Sequence, residues 1–149
     1  MKNTVLRLLT GIALAGFLTV PAVSAEIEIK MLNKGSDGQA MVFEPAAVKV
    51  AVGDVVKFVA VDKGHDAASI KGLVPEGVDD LKGKISQDLT VTIEKEGAYV
   101  FKCTPHFGMG MVALIVAGDA PANLDAVKAA KMPKKSKDRL DAELAKLAL

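Results

Sequence analysis

From residue 26 onward most of the chain alternates polar and apolar positions with period two. Glu26-Ile27-Glu28-Ile29-Lys30-Met31 predicts a strand with one buried face. Asn33 to Gln39, rich in Gly, Ser and Asp, reads as a turn. Met41 to Pro45 predicts a short strand stopped by proline. Ala47 to Val52 predicts another, with Val48, Val50 and Val52 on one face. Gly53-Asp54 turns the chain into Val55 to Val61, apolar enough for a central strand. Asp62 to Asp66 is a strand end carrying His65. Ala67 to Lys84, with its glycines, Pro75 and acidic residues, predicts an irregular surface excursion with room for one helical turn. Leu89 to Glu94 alternates strictly, with β-branched residues facing out. After the Glu96-Gly97 turn, Tyr99, Phe101 and Cys103 share one parity, and Val100 and Lys102 the other. This predicts a thiol in the core and Lys102 in solvent. Met111 to Ala117 is the last strand, which puts Cys103 and Met111 near the facing ends of a strand–loop–strand pair.

Past Asp119 the pattern changes. Ala, Lys and Leu dominate and β-branched residues nearly vanish. Asn123 can cap a helix over about 123–131, which Met132-Pro133 ends. Ser136 can cap a second over about 137–148, with Leu140, Leu144 and Leu147 on one stripe. Both are expected to cover one face of the body. Seven or eight short strands divided by turns predict a mainly β fold, an antiparallel β-sandwich with two appended C-terminal α-helices. There is no internal repeat or domain linker, so residues 26–149 are expected to form a single domain.

The first 25 residues do not belong to that pattern. Lys2 and Arg7 precede an apolar run from Leu8 to Val20, and Val23-Ser24-Ala25 supplies small residues for cleavage. The expectation is a secretory signal peptide, residues 1–25, cut between Ala25 and Glu26. The run is short for a membrane-spanning helix, so no membrane attachment is expected after the cut. Export removes two of the 19 basic residues and none of the 18 acidic ones, leaving a net charge of −1. With no Trp and 4% aromatic residues, nucleic-acid binding by base stacking is excluded as the working hypothesis.

An exported chain with a single cysteine cannot form an internal disulfide. The sequence around that cysteine is Cys103-Thr104-Pro105-His106-Phe107-Gly108-Met109-Gly110-Met111. Thiolate, imidazole and thioether form a soft donor set suited to copper rather than magnesium or calcium. The chain's other histidine, His65, completes two imidazoles, one thiolate and a weak axial thioether. The expected metal ligands are therefore His65, Cys103, His106 and Met111. Met109 is a competing axial candidate, although Met111 opens a strand and is held more rigidly. Zinc on the same residues stays open, against the preference of structural zinc for more thiolate or imidazole and no thioether. The expected function is a small copper electron carrier cycling Cu(I)/Cu(II), not an enzyme. Two rivals are a copper storage or delivery protein and an enzyme with Cys103 as nucleophile and His106 as base.

The Gly64-His65 element together with the Cys103-Thr104-Pro105-His106…Met111 loop resembles the cupredoxins, the small blue copper proteins, and within them the pseudoazurins. The likeness covers the whole expected mature chain. It implies a Greek-key sandwich, a type 1 copper centre and a periplasmic carrier of electrons in denitrification. The partners implied are copper nitrite reductase and c-type cytochromes, met by a monomer. It also implies an apolar docking patch around His106, with Pro105, Gly108, Met109 and Met41 as candidate members, ringed by Lys34, Lys63, Lys82, Lys102, Lys131 and Lys134. One position departs from the pattern: Asp66 stands where the family commonly has Asn, which removes a side-chain donor.

Overall fold

The computed structural model describes residues 23–149; the expected signal peptide lies, up to residue 22, outside the described residues. Eight strands and two helices follow in order: β1 (Glu26–Lys34), β2 (Ala40–Glu44), β3 (Ala47–Val50), β4 (Val55–Val59), β5 (Ala68–Ser69), β6 (Leu89–Thr92), β7 (Gly97–Lys102), β8 (Val112–Ala117), α1 (Leu124–Lys128) and α2 (Lys134–Lys146). The strands form two four-stranded sheets, ordered β2-β1-β4-β6 and β3-β8-β7-β5. Most pairings are antiparallel, as expected, but β1–β4 and β3–β8 are parallel. Parallel neighbours need a long connection, and here each is separated by other strands of the sandwich.

The inward side chains of the two sheets meet in one core. Ile29, Met31, Phe43, Phe58, Val91 and Ile93 come from the first sheet and its margins, and Tyr99, Phe101, Ala113 and Ile115 from the second. Phe58 links them: its ring centroid lies 4.6 Å from that of Phe101 and 5.5 Å from that of Phe43, edge-on to the latter. A second apolar cluster lies on the outer face of β7 and β8. There Ala98, Val100, Val112, Leu114 and Val116 pack under Val127 of α1 and Leu140 and Leu144 of α2. Strands β7 and β8 are thus buried on both faces, which explains their nearly unbroken apolar runs and fulfils the expectation that the helices cover the sandwich.

Several boundaries move. Asn33 and Lys34 belong to β1 rather than to a turn, because Lys34 pairs with Ala40 and the Asp62 carboxylate accepts the Asn33 N–H at 2.7 Å. Strands β3 and β4 stop at Val50 and Val59, and Val52 and Val61 are left 50% and 53% exposed. The Asp54 carboxylate draws the Ala51 N–H into the following turn, and Asp88 takes that of Ala60. The 67–84 excursion is not purely surface and contains no helix. Ala67, Ala68 and Leu73 are buried, and β5 adds an edge strand beside β7. Lys102 is half-buried instead of free in solvent, its ammonium 5.2 Å from the centroid of Phe107.

The helices also differ from expectation in how they begin. Asn123 precedes α1 without capping it; its amide accepts from the Ala98 N–H and donates to the Ala98 carbonyl, both at 2.8 Å. Helix α1 is accordingly short, five residues. Helix α2 starts at Lys134 after Pro133, so Ser136 lies inside its first turn, fully buried, rather than at a cap. A proline just before the first turn costs no hydrogen bond, because that N–H has no helical partner.

Candidate metal centre

Two stretches bring chemistry to one end of the sandwich. Strand β7 ends at Lys102, so Cys103 is the first residue past it, still on the core-facing parity of Tyr99 and Phe101. The Cys103 N–H donates to the Met111 carbonyl at 3.0 Å, which extends the β7–β8 ladder by one step and closes the loop between them. Inside that loop Phe107–Met109 makes one turn of 3-10 helix. Opposite it, the turn after β4 brings in His65, which is fully buried despite its place in a polar stretch.

Three donor atoms converge. Cys103 Sγ lies 3.6 Å from His65 Nδ1 and 3.5 Å from His106 Nδ1, and the two Nδ1 atoms are 3.0 Å apart. A point equidistant from three such atoms lies roughly 2 Å from each, the length of a metal–imidazole bond. The far side of His65 fixes which nitrogen faces inward. Asn33 Oδ1 lies 2.9 Å from His65 Nε2. An amide oxygen only accepts, so the proton sits on Nε2 and the lone pair of Nδ1 points at the sulfur. Burial, then the neighbouring His106, push the His65 pKa down, against the pull of Asp62 and Asp66. The sequence offered no sign that Asn33, 32 residues upstream, would hold this ring.

Burial is also the main influence on Cys103, raising its thiol pKa; the backbone N–H groups of Asp66 and His106 act in the opposite direction. A thiolate here therefore calls for a cation to hold it. Asp66 is only 3% exposed, and its Oδ1 accepts the Thr104 N–H at 2.5 Å. The accepting half of the role expected of an amide is thus kept, and a carboxylate is set beside the sulfur.

Met111 is fully buried and packs in the same core as Cys103, whereas Met109 is 41% exposed. Of the two thioethers, Met111 alone is enclosed with the other donors. His106 is half-buried, among exposed Pro105, Gly108 and Met109. The donor set fits copper: one sulfur and two imidazole nitrogens at trigonal spacing, with a second sulfur residue in the same core. The 3.0 Å between the two Nδ1 atoms suits either a proton carried by His106 Nδ1 or a cation held by both rings.

Comparison with known proteins agrees with this chemistry. Residues 29–118 match the model of copper binding proteins of the plastocyanin/azurin family. The chain is 55% identical over 130 residues to a pseudoazurin of Paracoccus pantotrophus, covering 87% of this chain and 89% of that one. It is 53% identical over 125 residues to a putative pseudoazurin of Rhizobium leguminosarum bv. viciae, covering 84% and 82%. The crystal structure of native pseudoazurin from Hyphomicrobium denitrificans superposes with a TM-score of 0.78 at 50% identity, over 82% of this chain and 98% of that one.

Proposed function

This chain belongs to the plastocyanin/azurin family of copper-binding proteins, and within it to the pseudoazurins; on that premise we propose that it is an exported one-electron carrier whose copper is held by His65, Cys103, His106 and Met111. The observation that carries the reading is the triangle formed by Cys103 Sγ and the two Nδ1 atoms, with sides of 3.6, 3.5 and 3.0 Å. Bound copper supplies a centre that takes up one electron and gives it back. The protein's part is to leave little to rearrange. Asn33 holds the His65 ring, Asp66 holds the backbone at Thr104, and the β7–β8 ladder holds Cys103 against Met111. Met111 is favoured as axial ligand over Met109 by its burial.

Electrons enter and leave through His106 in this reading, since Cys103 and His65 are fully buried and His106 is not. Pro105, Gly108 and Met109 give the apolar surface around it, and Lys34, Lys63, Lys82 and Lys131 are exposed and able to steer an acidic partner. Lys134 is engaged with Asp138 at 2.7 Å, and Lys102 with Phe107, so these two are the weaker members of the ring. The partners proposed are a copper nitrite reductase and c-type cytochromes, the compartment is the periplasm and the carrier works as a monomer. Strand β1 begins at Glu26, the first residue after the expected cut, which supports cleavage after Ala25. No helix among the described residues is long and apolar enough to cross a membrane. Burial of the thiol speaks against a cysteine nucleophile, which needs substrate access, and against a labile copper-delivery site.

The test is optical. Protein loaded with Cu(II) is expected to be intensely blue, to bleach on adding one electron equivalent and to recover on oxidation, with Cys103→Ser colourless. Loaded protein that stays pale when oxidised overturns the ligand assignment. Reduction of a partner is expected to slow as salt screens the lysines; a rate flat with ionic strength removes the lysines from docking.

A further inference from the structure

Helix α2 touches the metal loop through two polar side chains that a mere cover has no need of. Ser136 is fully buried and its hydroxyl donates to the carbonyl of Phe107. One turn further along the helix, Arg139 Nη1 donates to the carbonyl of Gly110 at 2.9 Å and to that of Met41 at 2.7 Å, while Nη2 donates to the carbonyl of Ala40 at 3.0 Å. Phe107 and Gly110 bracket the 3-10 turn that separates His106 from Met111. The fit is close: Gly110 has φ of 92°, and a Cβ there would lie 3.0 Å from both Arg139 Cδ and Lys135 Cγ. No residue other than glycine enters this conformation without strain.

Desolvating guanidinium donors is costly unless they are hydrogen-bonded. Here three of those hydrogen bonds go to backbone carbonyls of β2 and of the metal loop, elements far from α2 in sequence. A guanidinium is a rigid fork, so it fixes the separation of the groups it joins as well as binding them. The loop position matters because a weak axial sulfur is placed by the protein more than by the metal. Met111 directly follows Gly110.

We infer that Ser136 and Arg139 are positioning residues of the copper centre: α2 clamps Phe107 and Gly110, and thereby sets the reach of the Met111 thioether and the presentation of His106. This rests on the ligand assignment proposed above. It gives the C-terminal helix a second task beyond its share of the outer apolar cluster over β8.

The experiment compares Arg139→Met, Arg139→Lys and Ser136→Ala with Val127→Ala, which removes a buried contact from α1 without touching the loop. In the copper-loaded proteins, Arg139→Met and Ser136→Ala are expected to shift the intensity ratio of the two thiolate-to-Cu(II) absorption bands and the rhombic splitting of the electron paramagnetic resonance spectrum. Arg139→Lys, which keeps a donor but loses the fork, is expected to fall between them and the parent. Val127→Ala is expected to lower the melting temperature with the spectrum unchanged. In the metal-free proteins the amides of Gly110 and Met111, bonded to the Phe107 and His106 carbonyls, are expected to exchange faster in the two clamp variants than in the parent. Clamp variants that melt earlier but keep the parent spectrum and exchange rates, as Val127→Ala does, overturn the inference. If Arg139→Met does not fold, Ser136→Ala decides the matter alone. A parent protein that is not blue overturns the ligand assignment instead, and the exchange rates of the metal-free proteins still decide whether α2 holds the loop.

Discussion

The amide oxygen of Asn33 lies 2.9 Å from Nε2 of His65 and so decides which nitrogen of that ring faces Cys103. Asn33 is held from its own backbone, its N–H donating to Asp62 three residues before the histidine. Strand β1 is thereby tied to the turn that delivers His65. Replacing Asn33 by Ala frees the ring to rotate and to take its other tautomer. Copper affinity is expected to fall about 10- to 100-fold, the usual effect of losing the partner of a metal-bound histidine. Competition with a chelator measures it; an affinity equal to the parent's shows that packing alone orients the ring.

Asp66 puts a buried acceptor under Thr104 and a carboxylate near the sulfur. Asp66→Asn keeps an oxygen for the Thr104 N–H and removes the charge. A nearby negative charge favours the more positive Cu(II) state, so the reduction potential is expected to rise. A tenfold shift of a one-electron couple corresponds to about 60 mV, which sets the scale. Asp66→Ala, by contrast, leaves the N–H unpaired and is expected to lower stability by about 1–3 kcal/mol. Voltammetry and thermal melts on the two variants separate charge from hydrogen bonding; a lower potential in Asp66→Asn contradicts the charge account.

Pro105 has no N–H and cannot donate to the Cys103 thiolate. Pro105→Ala supplies a donor, which stabilises the electron-rich Cu(I) state and is expected to raise the reduction potential. An unchanged or lowered value in cyclic voltammetry counts against a new bond to the sulfur.

Tyr99 lies in the core between the sheets with its hydroxyl donating to the Lys95 carbonyl at 2.7 Å. Burial raises its pKa above the usual value of 10.0, outweighing the Lys95 N–H, which donates to the phenol oxygen at 3.3 Å and lowers it. The folded protein therefore keeps this proton in a range where the unfolded chain has released it. Its contribution to stability is complete below about pH 10 and is lost as pH climbs beyond that. Tyr99→Phe is expected to cost about 1 kcal/mol near neutrality through the lost hydrogen bond and to flatten the alkaline decline. Denaturant titrations at neutral and alkaline pH compare the two; parallel declines would assign alkaline unfolding to other groups.

The parity of Tyr99, Phe101 and Cys103 was enough to place the thiol in the core, because side chains on a strand alternate and two of these three are large aromatics. The ligand candidates His65, Cys103 and His106 were also legible, since a chain with one cysteine and two histidines offers few combinations. The helix-rich tail and the sandwich class followed from local pattern as well. What local pattern left open was how distant segments meet. The burial of His65, the Asn33 and Asp66 hydrogen bonds and the use of Ser136 and Arg139 on the loop depend on contacts spanning from 29 to 99 residues. Ser136 and Asn123 show the difference most clearly: each has the composition of a helix cap, and each spends its polar atoms on the backbone of another element. Propensity describes what a residue does for its own segment, whereas a buried polar group is satisfied by whichever carbonyl or N–H the packed sheets and helices bring within reach, and that is decided only when the chain has folded.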